Sequence, residues 1–425
     1  MRYDVSSAAS AALFLLAALL AGCGDDEPSP PDAAPPDAPA PLDAPAPLDA
    51  APPDAAPPDA APPVEYPKKS VALSTGIEMH YVEVGNAAGA ETVILLPGYT
   101  DSSRSYFPTI EALTALDPDL HIYALDLRGH GDSSMPDTAA CASNPKTCFE
   151  LDDFADDVFA FMDVANITTT HLVGHSMGAL LAYEIALTSP GTVESIVAIG
   201  AASSVVDNPL LRDFILQGTI EGMWRAALEA NPSFGDWPAD AYYLTPLDAD
   251  PNAEEWVATS WVVDPVADPA HVATVVPETA RVRLGTWLGI AEALLEVDDT
   301  ARLANLAVDS LIIWSSQDLV FPEADQVALR AALDPAAAAC LSGYHWKMYG
   351  KEPAPSTGID DLSHNTHRAA PAQVAADIEA FITTGKPTLD RYYANPDRPG
   401  EILTELGAAE IIEKPAATGC APQQR

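Results

Sequence analysis

The chain predicts an α/β fold: a mostly parallel central sheet with helices on both faces, interrupted by a helical insertion. Three observations carry this expectation. Short strand-like segments at Thr92–Leu96, 120–125, 169–173, 194–200, Ser310–Ser315 and Tyr344–Tyr349, the first of them a continuous apolar run, alternate with longer segments of helical periodicity. Continuous apolar runs are what strands covered on both faces require. The run at 169–173 passes into a helix at 177–188 through Gly174-His175-Ser176-Met177-Gly178, with no residues to spare for a loop. Residues 203–300 contain no clear buried strand but hold Trp224, Trp237, Trp256, Trp261 and Trp287, five of the seven tryptophans, which reads as a mostly helical insertion.

The N-terminus lies outside this pattern. Residues 8–22 are apolar and small, preceded by Arg2, and are too short for a confident membrane span; they read as a secretory segment. Leu20-Ala21-Gly22-Cys23 resembles the lipobox of bacterial lipoproteins, which implies cleavage of a 1–22 signal peptide and lipid on Cys23. The expected location is therefore outside the cytosol, on a bacterial membrane at its periplasmic face or at the cell surface. The stretch 23–63 repeats a Pro, Ala and Asp theme, as in Pro30-Pro31-Asp32-Ala33-Ala34. Proline removes backbone donors and the aspartates repel one another, so a disordered, extended linker is expected.

From there the elements follow in order. Strands at 70–73 and 77–84, separated by Ser74-Thr75-Gly76, suit an antiparallel hairpin at a sheet edge. Strand Thr92–Leu96 stops at Pro97-Gly98-Tyr99 and leads to a helix ending near Leu116. Strand 120–125 ends in Asp126-Leu127-Arg128-Gly129-His130-Gly131-Asp132-Ser133-Ser134. A helix at 152–165 precedes strand 169–173. After the insertion come helices at 322–333 and 371–383, with a Pro-rich tail from 387 onward wrapped on the domain or partly loose. The domain expectation is a core of 64–202 and 301–386, a cap at 203–300 and a tail at 387–425.

Composition bounds the partners. The net charge is −42, and residues 64–425 alone carry 52 acids against 19 bases. Such a field repels nucleic acid, so no nucleic-acid partner is expected. The expected partners are a small-molecule substrate and, through the lipid, a membrane; a monomer is expected. Among the nine histidines only His171 and His175 are four apart, and they straddle a strand and a turn. With no Cys-rich pattern either, no metal is implied.

The strand-to-helix turn carries the chemistry. Glycines at 174 and 178 lack a Cβ where the two backbones approach, and Ser176 is presented clear of the sheet above a helix N-terminus. A serine needs a base, and the base needs an orienting acid. Ligand sites in parallel sheets form at the strands' carboxyl ends. Asp318 follows strand Ser310–Ser315, whereas Glu323 and Asp325 fall inside the next helix. The loop after Tyr344–Tyr349 holds His364 and His367. The order Ser176, Asp318, His364 is that of a nucleophile, acid and base on such a sheet.

On these residues, from about 68 to 385, the chain resembles α/β-hydrolase fold enzymes of the serine esterase and lipase branch. The Gly-His-Ser-Met-Gly elbow is similar to that of monoacylglycerol lipases. The Asp126–Ser134 segment resembles the family's D-x-R-G-x-G-x-S, and His364 followed by His367 and Pro371 resembles its terminal histidine loop. The resemblance implies His364 as base, with backbone N–H groups of Tyr99 and Met177 as the oxyanion hole. It implies cleavage of carboxylic esters through an acyl-enzyme, without a cofactor. The family's usual His-Gly is replaced here by Pro97-Gly98. The aromatic cap suits small or lipid-like apolar acyl groups. C–C bond hydrolysis, peptidase or cofactor-free peroxidase chemistry, and a non-catalytic ligand-binding lipoprotein, are the alternatives.

Four cysteines remain besides Cys23. Outside the cytosol they suggest disulfides. Of three possible pairings, proximity favours Cys141 with Cys148, which leaves Cys340 with Cys420.

Overall fold

The structure, a computed structural model, describes residues 63–417 apart from 90, 263, 352–360 and 399. The signal segment, Cys23, the linker through residue 62, and Cys420 lie outside the described residues.

The strands are β1 (Lys68–Ala72), β2 (Glu78–Gly85), β3 (Thr92–Leu96), β4 (His121–Leu125), β5 (Thr170–His175), β6 (Val193–Ile199), β7 (Ser310–Ser315) and β8 (Tyr344–Tyr349). Three more follow: β9 (Arg391–Ala394), β10 (Ile402–Glu405) and β11 (Ile411–Lys414). Nine of them form one sheet in the order β1-β2-β4-β3-β5-β6-β7-β8-β11. β1 and β2 form an antiparallel hairpin at one edge, β2 pairs antiparallel with β4, and β4 through β8 are linked by parallel pairings. This is the α/β-hydrolase fold, with the mostly parallel sheet that the apolar runs predict.

Alternation along the strands feeds two separate cores. Ile94, Leu96, Leu172, Ile196, Ile312 and Trp314 face one side, where helices Leu151–Ala165, Met177–Thr188 and Glu323–Ala338 pack. Val93, Leu95, Val173, Val197, Leu311 and Ile313 face the other, against helices Phe107–Leu116 and Pro371–Thr384. Both faces are thus dry, which explains why these strands lack polar alternation.

Between β6 and β7 the described residues add no strand to the sheet. Helices Pro269–Arg281 and Leu284–Leu294 and a π-wound helix, Leu210–Trp224, occupy the excursion. Its two ends are zipped together: Val205 N–H donates to Val297 O at 2.9 Å, and Asp299 N–H to Ser203 O at 2.8 Å.

The described part of the tail is wrapped on the domain, as one of the two expectations had it: β9 and β10 pair with each other, and β11 joins the main sheet antiparallel to β8, with Ile412 opposite Trp346. The otherwise open edge of β8 offers unpaired backbone groups, and the short Ile411–Lys414 run satisfies them. The helix expected to stop at 333 runs to Ala338 through Pro335. Proline disfavours a helix interior, but buried Ala336 and Ala337 reward the extra turn. The Cys141–Cys148 disulfide is present. Cys340 is disulfide-bonded too, and its expected partner, Cys420, lies outside the described residues.

Candidate active site

The site is built where β3, β5, β6 and β7 end. Ser176 follows β5 directly and has φ 53° and ψ −119°. A positive φ on a non-glycine residue costs on the order of 1–3 kcal/mol. The cost is met by what surrounds the turn. Ser176 N–H donates to Ile199 O at 2.9 Å, and its carbonyl accepts from Ala179 and Leu180 N–H. Cβ atoms on the flanking glycines would collide with backbone: one on Gly174 would lie 2.1 Å from Gly178 O, one on Gly178 2.1 Å from Leu96 O. The glycines therefore let helix Met177–Thr188 lie directly against the end of β3.

His364, from the loop after β8, is seated beside this turn. Its Nδ1 is 2.9 Å from Asp318 Oδ2. The other oxygen, Oδ1, accepts from Val320 N–H and Phe321 N–H, both at 2.9 Å. Asp318 thus closes the turn after β7 while aiming its second oxygen at the imidazole. It does not cap helix Glu323–Ala338, whose N-cap is Pro322. The His364 ring packs edge-on to Phe321, with centroids 5.6 Å apart. It also sits on Gly200, where a Cβ would lie 3.0 Å from Nδ1. Ser176 and His364 therefore meet the same end of β6, Ser176 through Ile199 and His364 through Gly200. The His364 side chain is 14% exposed and that of Asp318 only 1%, so the imidazole can be reached while the carboxylate beside it is dry.

The loop after β3 lies against the Ser176 turn. A Cβ on Gly98 would lie 3.2 Å from Ser176 Cβ. Among the described residues neither Tyr99 N–H nor Met177 N–H donates to another backbone group. Two such donors are the chemistry an oxyanion needs. Thr100, next in line, has φ 63°, and its hydroxyl accepts from Trp261 Nε1 at 2.8 Å.

The insertion reaches the site through aromatics. The Tyr99 hydroxyl donates to Trp287 O, and its ring makes edge contacts with Trp261 and Trp287 at 5.6 and 5.3 Å. Trp224 and Trp256 continue this cluster. Trp237 stands apart, donating to Glu221. Glu278 of helix Pro269–Arg281 adds an ionic tie, accepting from Ser102 Oγ and from Arg104 Nε at 2.6 Å. The contacts of Tyr99, Ser102 and Arg104 with the insertion carry no sequence signal, because each joins residues more than a hundred positions apart.

Other singled-out residues are braces. Asp126 accepts from Lys68 Nζ, Ser103 N–H and Asp132 N–H. Arg128 makes a paired contact with Asp157 at 2.7 and 2.8 Å. His130 is buried with Nδ1 on Arg128 O, and burial pushes its pKa down to about 4. Behind the turn, His175 Nε2 is 3.1 Å from His364 O, and its ring lies 4.2 Å from that of His367. Burial lowers the pKa of both imidazoles well below the ordinary value. Asp264 of the insertion is pushed up to about 6 by burial, against the pull of Arg368.

Comparison with known proteins agrees with this architecture. The family model for the alpha/beta hydrolase fold matches residues 91–342, more than half of the chain. A curated relative, (E)-2-((N-methylformamido)methylene)succinate hydrolase of Acinetobacter baylyi, is 30% identical over 126 residues, covering 30% of this chain and 42% of its own. A putative carbamate hydrolase, RutD of Pantoea ananatis, is 27% identical over 168 residues, 37% of this chain and 56% of its own. The chain thus spans about half the length of these relatives. Among solved structures, a hydrolase from Pseudomonas aeruginosa superposes with a TM-score of 0.54 at 18% identity, over 74% of this chain and 98% of that one.

Proposed function

The chain belongs to the alpha/beta hydrolase fold family, and from that premise we propose that it is a serine hydrolase cleaving carboxylic esters of small or lipid-like apolar acyl groups. Ser176 Oγ attacks the ester carbonyl as His364 Nε2 takes its proton. Asp318 holds Nδ1–H and stabilises the imidazolium. The N–H groups of Tyr99 and Met177 receive the oxyanion. Collapse of the tetrahedral species breaks the ester C–O bond, and His364 returns the proton to the leaving alcohol. Water then attacks the acyl-enzyme with His364 as base, releasing the acid and restoring Ser176.

The observation that carries this reading is the 2.9 Å contact of His364 Nδ1 with Asp318 Oδ2 beside a serine held at positive φ. A structural histidine has no need of a dry carboxylate aimed at one nitrogen while the other side of the ring stays open. The Tyr99, Trp261 and Trp287 cluster supports an apolar acyl group as the preferred substrate portion. The test is turnover of p-nitrophenyl esters of graded chain length. Ser176→Ala is expected to abolish it with the thermal transition retained; turnover surviving in that variant contradicts the reading.

The same proposal includes an exported protein tethered through lipid on Cys23. The Cys141–Cys148 disulfide supports an oxidising compartment. Cys23→Ala is expected to move the protein from the membrane fraction to the soluble fraction; an unchanged distribution contradicts the tether.

A further inference from the structure

Beside Ser176, three side chains from three separate parts of the chain converge. Asp101 comes from the loop after β3, His175 is the last residue of β5, and His367 lies in the short helix Thr366–Ala369 that follows His364. One ligand atom from each lies within 4.8 Å of the other two, and all three residues are buried. Asp101 Oδ1, His175 Nδ1 and His367 Nδ1 have no hydrogen-bond partner among the described residues.

The chemistry of these atoms can be read from their neighbours. His175 Nε2 faces the carbonyl of His364, so it carries the proton. A neutral imidazole has one N–H, so its Nδ1 presents a lone pair. His367 Nε2 contacts Ser105 Oγ. The Ser105 hydroxyl also hydrogen-bonds Asp101, which takes its proton, so His367 Nε2 is the donor to Ser105 and Nδ1 presents a second lone pair. Asp101 adds a carboxylate oxygen. Three acceptors turned on one another are unfavourable without something electron-poor between them. A buried water has two hydrogens and serves two of the three. A cation serves all three.

We propose that Asp101, His175 and His367 bind a divalent transition-metal ion, Zn²⁺ by the character of the ligands, which ties together the loops carrying the oxyanion donor, the nucleophile and the base. Two imidazoles and a carboxylate are a zinc donor set. Each ring nitrogen not facing the ion is already held by a carbonyl or a hydroxyl, as ligating histidines usually are. Tetrahedral zinc sets its ligand atoms roughly 3.4 Å apart, so a small inward turn of the side chains completes the site. Gly98 leaves the room: a Cβ there would lie 2.9 Å from His175 Nδ1. Arg368 is close by, its Nη1 3.6 Å from Asp101 Oδ1. Asp264, 3.8 Å from Arg368 Nε, offsets that charge. The ion is a structural clamp: Ser176 and His364 keep their roles in the ester chemistry, and zinc takes no part in it.

The test reads metal, not turnover, and so fails or succeeds independently of the ester assignment. Full-length protein is stripped with dipicolinate and titrated with Zn²⁺ alone, with bound metal measured by plasma mass spectrometry. The expected result is one zinc per chain and a Tm raised by about 5 °C on addition. His367→Ala and Asp101→Asn are each expected to lose the bound zinc and the Tm response, whereas His130→Asn, outside the cluster, keeps both. Should one variant not fold, the other and the wild-type titration still decide. No uptake by the stripped wild type, or wild-type uptake by either cluster variant, overturns the proposal.

Discussion

Asp318 divides its two oxygens between a turn and an imidazole: Oδ1 accepts from Val320 and Phe321 N–H, while Oδ2 lies 2.9 Å from His364 Nδ1. One carboxylate thus fixes the loop that aims it. The division separates charge from geometry. Asp318→Asn retains an acceptor for the turn but loses the anion that stabilises the imidazolium. It is expected to lower kcat for p-nitrophenyl esters by about 10⁴-fold with little change in Tm. Asp318→Ala is expected to lose both. Equal stability and activity losses in the Asn variant would show that the carboxylate is only structural.

Gly178 tests the packing of the nucleophile turn. Its missing Cβ allows the helix to lie against Leu96 O and Pro97 O, where an added carbon would sit at 2.1 and 2.7 Å. Backbone on both sides leaves nothing flexible to move. Gly178→Ala is expected to destabilise by about 3 kcal/mol and to lower turnover sharply. Gly191, where an added Cβ meets nothing within 4 Å, is the control, and Gly191→Ala is expected to leave both unchanged. Denaturant unfolding of the two variants provides the comparison.

The aromatic tie between insertion and core gives a graded expectation. Trp287 is fully buried and touches Tyr99, Trp224, Trp256 and Trp261. Trp287→Ala is expected to cost about 3–5 kcal/mol. Trp261→Phe keeps most of the ring but loses the Nε1 donation to Thr100. It is expected to cost about 1 kcal/mol and to raise KM for long acyl esters more than for acetate. An identical KM profile across chain lengths would remove the insertion from acyl recognition.

Acid sensitivity follows from buried neutral histidines. His130 and His271 are each held down to about 4 by burial. The unfolded chain binds protons on them from about pH 6.5 downward, while the folded chain does not. Their full contribution is present above pH 6.5 and is lost as pH falls toward 4, each by up to about 1.4 kcal/mol per pH unit. His130→Asn is expected to flatten this acid limb. An unchanged slope of unfolding free energy against pH between 6.5 and 4 would contradict the assignment for His130.

The parallel sheet was legible because its central strands are buried on both faces and therefore read as largely apolar segments, as at Thr92–Leu96. Ser176 and Asp318 were legible as candidates for a related reason: each lies just beyond a strand, where a parallel sheet collects its loops, whereas His364, in the long loop after β8, stood out through the family resemblance. What escaped depends on contacts without local pattern. Ile411–Lys414 is too short and half-exposed to announce a strand, and only the open edge of β8 makes it one. Pro335 argues for a helix end that buried alanines override. The meeting of Asp101, His175 and His367 joins distant parts of the chain through loop geometry alone, so no spacing rule for metal ligands points to it. Trp261 and Glu278 touch the β3 loop for the same non-local reason.

The central claim is that Ser176 is an activated nucleophile, and covalent labelling tests it most directly. The protein is treated with a fluorophosphonate, digested and mapped by mass spectrometry. The expected result is a single adduct on Ser176, absent from Ser176→Ala and strongly slowed in His364→Ala. A wild-type protein that stays unlabelled while folded, or carries its adduct on another residue, would contradict it.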